Sequence, residues 1–168
     1  WVLVMAGGVG HKVAETTVVM RKSGRNMSDQ YTYARFWRCA LQVNPVGYNG
    51  TYRGADHGLD EGGYNQALLQ KCLELGITVV GLADHGSVAS VDALRQVLQP
   101  RGIVVFPGFE IASNDKTHYV CLFSEETTGQ QLERYLGNLD LLDPTDGVRP
   151  SRLSSEQLIE KVDQLGGF

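Results

Sequence analysis

The stretch ITVVGLADHGS, residues 77–87, decides how this chain is expected to fold. Its first half is a continuous run of apolar and β-branched residues, which is typical of a strand buried on both faces of a sheet. The run ends at Asp84 and His85, and a glycine follows. Because ligands of parallel α/β sheets and β/α barrels bind beyond the carboxyl ends of the strands, this polar ending is a candidate functional site.

Strands and helices alternate on both sides of this stretch. Continuous apolar runs predict strands, and apolar residues at helical spacing predict helices. In chain order the sequence predicts a strand over 38–43, a long loop over 45–63, a helix ending at Gly76, a strand over 77–82, a helix stopped at Pro100, strands over 102–106 and 118–123, a helix from Thr128, and a last helix capped by Ser154 with Gln157. This alternation predicts an α/β fold built on a parallel sheet or a β/α barrel.

The composition is that of an ordinary globular domain. The chain has 168 residues, of which 42% are hydrophobic and 20% charged, and this suits one domain with a real core. With a net charge of −4, the chain as a whole is not a basic nucleic-acid-binding protein. A local groove with positive charge could still bind nucleic acid. No apolar run of the sequence is long enough to cross a bilayer, so no membrane partner is expected.

The three cysteines, Cys39, Cys72 and Cys121, lie far apart in apolar surroundings. This arrangement favours small core residues in a reducing, cytoplasmic compartment over a disulfide framework or a zinc knuckle. Residues 1–35 differ in charge from the rest, since they hold five basic and two acidic residues in a chain that is acidic overall. They are therefore predicted to form an N-terminal extension outside the domain.

Polar side chains recur where the predicted strands begin or end. Asp84 and His85 end one strand, Glu110 follows the next, and His118 opens the last. Imidazole and carboxylate together suit Zn, Mn or Fe, and an ion held there would polarise a phosphoryl oxygen and lower the pKa of water. Each residue also has an ordinary structural alternative: His85 as a turn residue, Asp84 as a helix cap, Glu110 as a solvated strand end and His118 as a packed histidine. Their recurrence at strand ends favours a metal site.

Four motifs in this order resemble the PHP family (polymerase and histidinol phosphatase). LADHGS, residues 82–87, resembles its second motif, usually written TDH, and VFPGFEI, residues 105–111, resembles its third, with a glutamate after Pro-Gly. THYVCLF, residues 117–123, resembles the next motif, in which a histidine opens a strand. RCALQVNP, residues 38–45, falls where the family has its first motif, typically DLHVHTP. The resemblance is greatest to the PHP domains of TrlF-like proteins, which are fused ahead of a large ATPase region.

The resemblance implies a distorted, TIM-barrel-like β/α barrel of PHP type with a site for two or three metal ions at its carboxyl face. It implies metal-dependent hydrolysis of phosphoester bonds, in phosphomonoesters or in nucleic acid, with Mn, Zn or Fe as the cofactor. Carried over to this chain, His85, Glu110 and His118 would be metal ligands. Asp84 would be a further ligand or would orient one, and Asp84, His85 and Glu110 would be the catalytic residues.

The first motif departs from the family pattern. Gln42 and Asn44 stand where the family has paired histidines, and an amide oxygen is a poorer ligand for a transition metal than imidazole. Both positions nevertheless remain candidate metal positions. The acidic residue that the family places soon afterwards has no clear counterpart, since Asn49 lies near its place and Asp56-His57 cannot be aligned with it.

The family resemblance covers roughly residues 36–168, which would form the N-terminal part of a PHP-like domain. The sequence stops at Phe168, where the family has a further strand with another histidine, so a barrel truncated at its C-terminus is expected, followed by further chain with an ATPase region. Three functions remain open at this point. They are an active phosphoesterase, a degenerate PHP module acting as a structural or regulatory domain of an ATPase-containing protein, and a plain α/β binding domain.

Overall fold

The computed structural model describes residues 37–46, 58–143 and 150–168 of the chain. The predicted extension over residues 1–35, and the candidates Asn49, Asp56 and His57, lie outside the described residues. In chain order the elements are β1 (Cys39–Val43), α1 (Glu61–Leu75), β2 (Val79–His85), α2 (Val91–Leu98), a 3-10 turn (Gln99–Arg101), β3 (Val104–Ala112), β4 (His118–Leu122), α3 (Gly129–Gly137) and α4 (Ser155–Gln164). The predicted α/β class is therefore confirmed.

The four strands form one sheet in the order β1-β2-β3-β4. The first three strands are parallel, whereas β4 runs antiparallel to β3. The expected parallel pairing is therefore found for β1, β2 and β3, and the pairing of β4 differs from it. The connection over residues 113–117 is too short for a crossover between parallel strands and makes a hairpin instead. In consequence the beginning of β4 lies at the same edge of the sheet as the carboxyl ends of the other strands.

Strand β3 is longer than its apolar run predicts. The Pro107-Gly108 pair suggests that the strand stops after Phe106, yet β3 continues to Ala112. The Pro107 carbonyl accepts a hydrogen bond from the N–H of Phe123 at 2.9 Å, so the missing N–H of the proline does not end the sheet here. Glu110 consequently lies inside a strand, and its side-chain direction is fixed by the pleat.

One face of the sheet packs against the helices and forms the core. Successive strand residues point to opposite faces, and those of β2 and β3 that face the helices are apolar except for Asp84. The buried core combines residues from the strands and the segment after β4 with helix residues: Val80, Leu82, Val105, Phe109, Ile111, Cys121 and Phe123 with Leu69, Cys72, Val91, Leu94, Leu98, Leu132, Leu136, Leu158 and Val162. Among the helices described, none combines the length and the apolar character needed to cross a membrane.

The opposite face is concave, and the sheet curls into a half-barrel. Two glycines allow the strands to approach one another on this face. A Cβ at Gly81 would lie 2.6 Å from the Leu41 carbonyl oxygen and 2.8 Å from the Leu122 side chain. A Cβ at Gly108 would lie 2.0 Å from the Cys121 carbonyl oxygen. A half-barrel is consistent with part of a β/α barrel; the PHP type of that barrel remains a prediction.

We expect Gly108→Ala to destabilise the protein by about 3 kcal/mol, the upper part of the range for overpacked cores, because its methyl group meets backbone atoms. Urea unfolding followed by circular dichroism measures this change. The control is Gly137→Ala in α3, where an added Cβ meets nothing within 4 Å. That variant should be more stable than wild type by about 0.5–1 kcal/mol. Equal stability of Gly108→Ala and wild type would contradict the role of the glycine in the curl.

Helix α4 is attached to the turn between β3 and β4 by Asp115. The hydroxyl of Ser113 donates to Asp115 Oδ1, the hydroxyl of Ser155 lies 2.9 Å from Oδ2, and the Thr117 N–H donates at 3.2 Å. These hydrogen bonds, with that of Ser113 first, lower the pKa of Asp115 from 3.8 to about 2. Because Ser155 is the first residue of α4, the ionised carboxylate holds the helix to the hairpin.

The stability difference between wild type and a variant without this carboxylate should depend on pH in a defined direction. The pKa of Asp115 is depressed in the folded state, so its contribution is fully present above about pH 4 and is lost as the pH falls towards about 2. We expect Asp115→Asn to be less stable than wild type at pH 7, with a difference that shrinks below about pH 4. Urea unfolding at several pH values measures it, with Glu160→Gln on α4 as the control for loss of an exposed charge. A difference independent of pH would contradict this account.

Candidate metal centre

Three side chains converge at the edge of the sheet where β2 and β3 end and β4 begins. His85 is the last residue of β2 and lies opposite Glu110 of β3, while His118 is the first residue of β4. One ligand atom from each residue lies within 4.8 Å of the others. The hairpin explains why His118, which opens a strand, joins residues near the ends of two parallel strands.

Glu110 is the centre of this cluster. Its Oε1 lies 2.8 Å from Nδ1 of His118 and 3.4 Å from Nε2 of His85. The two imidazole rings are edge-on, with centroids 5.5 Å apart and an angle of 89° between their planes. Both histidines therefore direct a ring nitrogen towards the same carboxylate oxygen, which is the arrangement expected of groups that can share an ion.

The cluster is buried on the side of Glu110 and His85 and exposed to solvent on the side of His118. The side chains of Glu110 and His85 are 7% and 10% exposed, whereas that of His118 is 38% exposed. Burial lowers the pKa of His85, although the charge of Glu110 opposes this effect. A neutral imidazole is the form that binds a metal ion.

The donor set fits a divalent transition metal. Two imidazole nitrogens and one carboxylate oxygen suit Zn, Mn or Fe. Three protein ligands would leave coordination positions for water or substrate, as in catalytic rather than structural zinc sites. His85, Glu110 and His118 are thus brought together as the sequence predicts, and their role as ligands stays a prediction.

Gln42 is also brought to the cluster, but as a hydrogen-bond donor. It lies in β1, and its Nε2 donates to Oε2 of Glu110 at 2.6 Å. The amide therefore contacts the carboxylate oxygen other than the one that faces the histidines.

Asn44 follows β1 at the same edge of the sheet but is not part of the three-residue cluster. Its Oδ1 is buried and has no hydrogen-bond partner among the described residues. A buried carbonyl oxygen without a partner is destabilising, so it is a group that an ion or water would satisfy. Its predicted place in the metal site remains a prediction.

Asp84 is directed to the other face of β2, because neighbouring strand residues alternate. It is buried, and its Oδ1 accepts a hydrogen bond from the backbone N–H of His85 at 2.8 Å. It stands outside the cluster formed by His85, Glu110 and His118. This contact lets Asp84 orient the backbone that carries His85, whereas its predicted roles as ligand and catalytic residue remain predictions.

Tyr64 of α1 lies near the site, although no pattern in the sequence predicts a role for it. Its hydroxyl donates to the backbone carbonyl of Asn44 at 2.6 Å and so ties α1 to the end of β1. Burial raises the pKa of Tyr64, and the negative charge of Asp84 raises it further, so the hydroxyl remains a donor. In the sequence Tyr64 follows a glycine-rich segment, and nothing there marks it as a partner of the first motif.

Comparison with known proteins yields only weak likeness to solved structures. No protein-family model matches the chain, and no curated protein matches it. A solved structure from Bifidobacterium adolescentis, provisionally named a metal-dependent phosphoesterase, is similar with 16% sequence identity and a TM-score of 0.36. The match covers 62% of this chain and 32% of that one. At this identity and TM-score, the likeness is too weak to assign a fold family or an activity.

If the three side chains hold an ion, removing one of them should abolish tight binding. We expect wild type to bind Mn²⁺ or Zn²⁺ and Glu110→Gln and His85→Ala to bind at least about 100-fold more weakly, since even residues that only support a ligand change affinity by 10–100-fold. Isothermal titration calorimetry and plasma mass spectrometry of the dialysed protein measure this. Glu133→Gln, which removes an exposed carboxylate from α3, should bind like wild type. Retention of wild-type affinity in Glu110→Gln would contradict the site.

Proposed function

We propose that this chain is a metal-dependent phosphoesterase that hydrolyses phosphoester bonds at the edge of the sheet where His85, Glu110 and His118 meet. The observation that carries the proposal is the convergence of two histidine nitrogens on one oxygen of a buried glutamate. A bound divalent ion would supply Lewis acidity towards a phosphoryl oxygen. The protein side chains would bind this ion and keep its ligands in position.

Each residue of the cluster has a distinct part in the proposal. Glu110 supplies the negative charge that attracts the cation, and its burial strengthens that attraction. Burial lowers the pKa of His85, which favours the neutral imidazole with a nitrogen lone pair to offer. Asp84 holds the backbone N–H of His85 and thereby acts as a positioning residue.

We assign the proposed enzyme to the PHP type on the order of its sequence motifs. LADHGS ends β2, VFPGFEI lies in β3 and THYVCLF spans β4, so the motifs that resemble the family provide the residues of the cluster. A nucleic-acid substrate and an ATPase region in further chain extend the proposal through the likeness to TrlF-like proteins. The three free cysteines are buried, which supports a reducing, cytoplasmic location.

Turnover of model substrates tests the proposal. With Mn²⁺ added, wild type should hydrolyse bis(p-nitrophenyl) phosphate or p-nitrophenyl phosphate, which represent diesters and monoesters. Glu110→Gln should lose at least about 100-fold in kcat/KM, because the negative charge that would hold the metal ion is removed. Glu133→Gln should retain wild-type activity. Activity that survives in Glu110→Gln would point to a contaminating enzyme or to another site.

A second candidate function is a PHP module without catalysis that serves as a structural or regulatory domain. The observation that favours it is the contact of Gln42 with Glu110, since an amide stands where the family pattern has histidine. Such a module would bind an ion at the cluster yet show no turnover of either model substrate. If wild type binds metal and hydrolyses a model substrate, and Glu110→Gln loses that hydrolysis, the module without catalysis is excluded.

A further inference from the structure

The two carboxylate oxygens of Glu110 have different partners. Oε1 faces the ring nitrogens of His118 and His85, at 2.8 and 3.4 Å. Oε2 accepts the hydrogen bond from Nε2 of Gln42, at 2.6 Å. One oxygen therefore points to groups that can bind a cation, and the other points to an N–H donor.

A glutamate that bridges two metal ions places one ion beside each of its oxygens. On the Oε2 side of Glu110, the space next to the carboxylate is taken by the NH2 group of Gln42, which has no lone pair to offer a metal. The opposite orientation of the amide would put its carbonyl oxygen against Oε2, and two acceptors repel each other. The charge of Glu110 thus selects the orientation in which Gln42 presents hydrogens.

We propose that Gln42 limits this centre to one metal ion, held on the Oε1 side of Glu110 by His85 and His118. The inference rests on the metal centre of the proposed function and defines its nuclearity. Gln42 acts on the ion through the carboxylate and is a positioning residue. It also fixes the carboxylate plane, because a charge-assisted hydrogen bond of 2.6 Å to a buried oxygen restrains rotation of the side chain.

A single-ion centre has a different chemistry from a two-ion centre. Two ions about 4 Å apart stabilise the attacking and the leaving oxygen of a phosphoester together. A single ion can stabilise the phosphoryl oxygen, while the leaving group needs a proton from a side chain or from water.

The experiment counts ions in the whole chain and in two Gln42 variants. Native mass spectrometry and electron paramagnetic resonance are recorded after saturation with Mn²⁺. Wild type should bind one ion per chain and give the six-line spectrum of isolated Mn²⁺. Gln42→His replaces the donor with an imidazole, and Gln42→Glu replaces it with a carboxylate, so at least one of them should bind two ions and show exchange coupling between them.

The possible outcomes separate the inference from the function on which it rests. Two coupled ions in wild type would overturn the single-ion inference and leave the metal centre intact. One ion in wild type and in both variants would also overturn it, because something other than Gln42 would then set the count. No ion in wild type after saturation with Mn²⁺, or an ion bound equally well by Glu110→Gln and His85→Ala, would overturn the proposed metal centre itself. Circular dichroism of each variant confirms that the fold is retained.

Discussion

The close approach of neighbouring strands at Gly81 and Gly108 is the constraint on which the rest of the structure depends. Without side chains at these positions the sheet curls, and the Leu122 side chain of β4 lies over both glycines. The curl turns the edge residues of different strands towards a common point. A flat sheet would leave the start of β4 further from β2, and His118 and His85 would not share one carboxylate oxygen.

Buried charge sets the energetics of the site. A carboxylate as buried as Glu110 is strongly destabilising unless hydrogen bonds or opposite charges compensate it. Here Gln42 and His118 supply hydrogen bonds to its two oxygens, one to each. The same side chain therefore links three strands of the sheet and forms the cation-attracting group of the site. Stability and proposed function therefore depend on the same contacts, those of Glu110 with Gln42 and His118.

The fold class and three members of the site were predictable from the sequence because they depend on local patterns. The apolar run before Asp84 predicts β2, and the capping pair Ser154 and Gln157 predicts the start of α4. The pairing of β4 was not predictable, since it depends on a hairpin whose residues, including Asp115, carry no strand or helix signal of their own. Nor was the contact of Gln42 with Glu110, which joins residues 68 positions apart on strands that are not neighbours in the sheet.

The three side chains of the proposed centre differ in their exposure to solvent. His118 would be the first of them that an ion from solvent contacts, since this ring is 38% exposed while Glu110 and His85 are 7% and 10% exposed. Glu110 and His85 would hold the ion from the buried side. Movement of the His118 ring away from Glu110 would open the site to solvent. This ring is carried by the first residue of β4, so the hairpin next to it would influence how readily an ion enters and leaves.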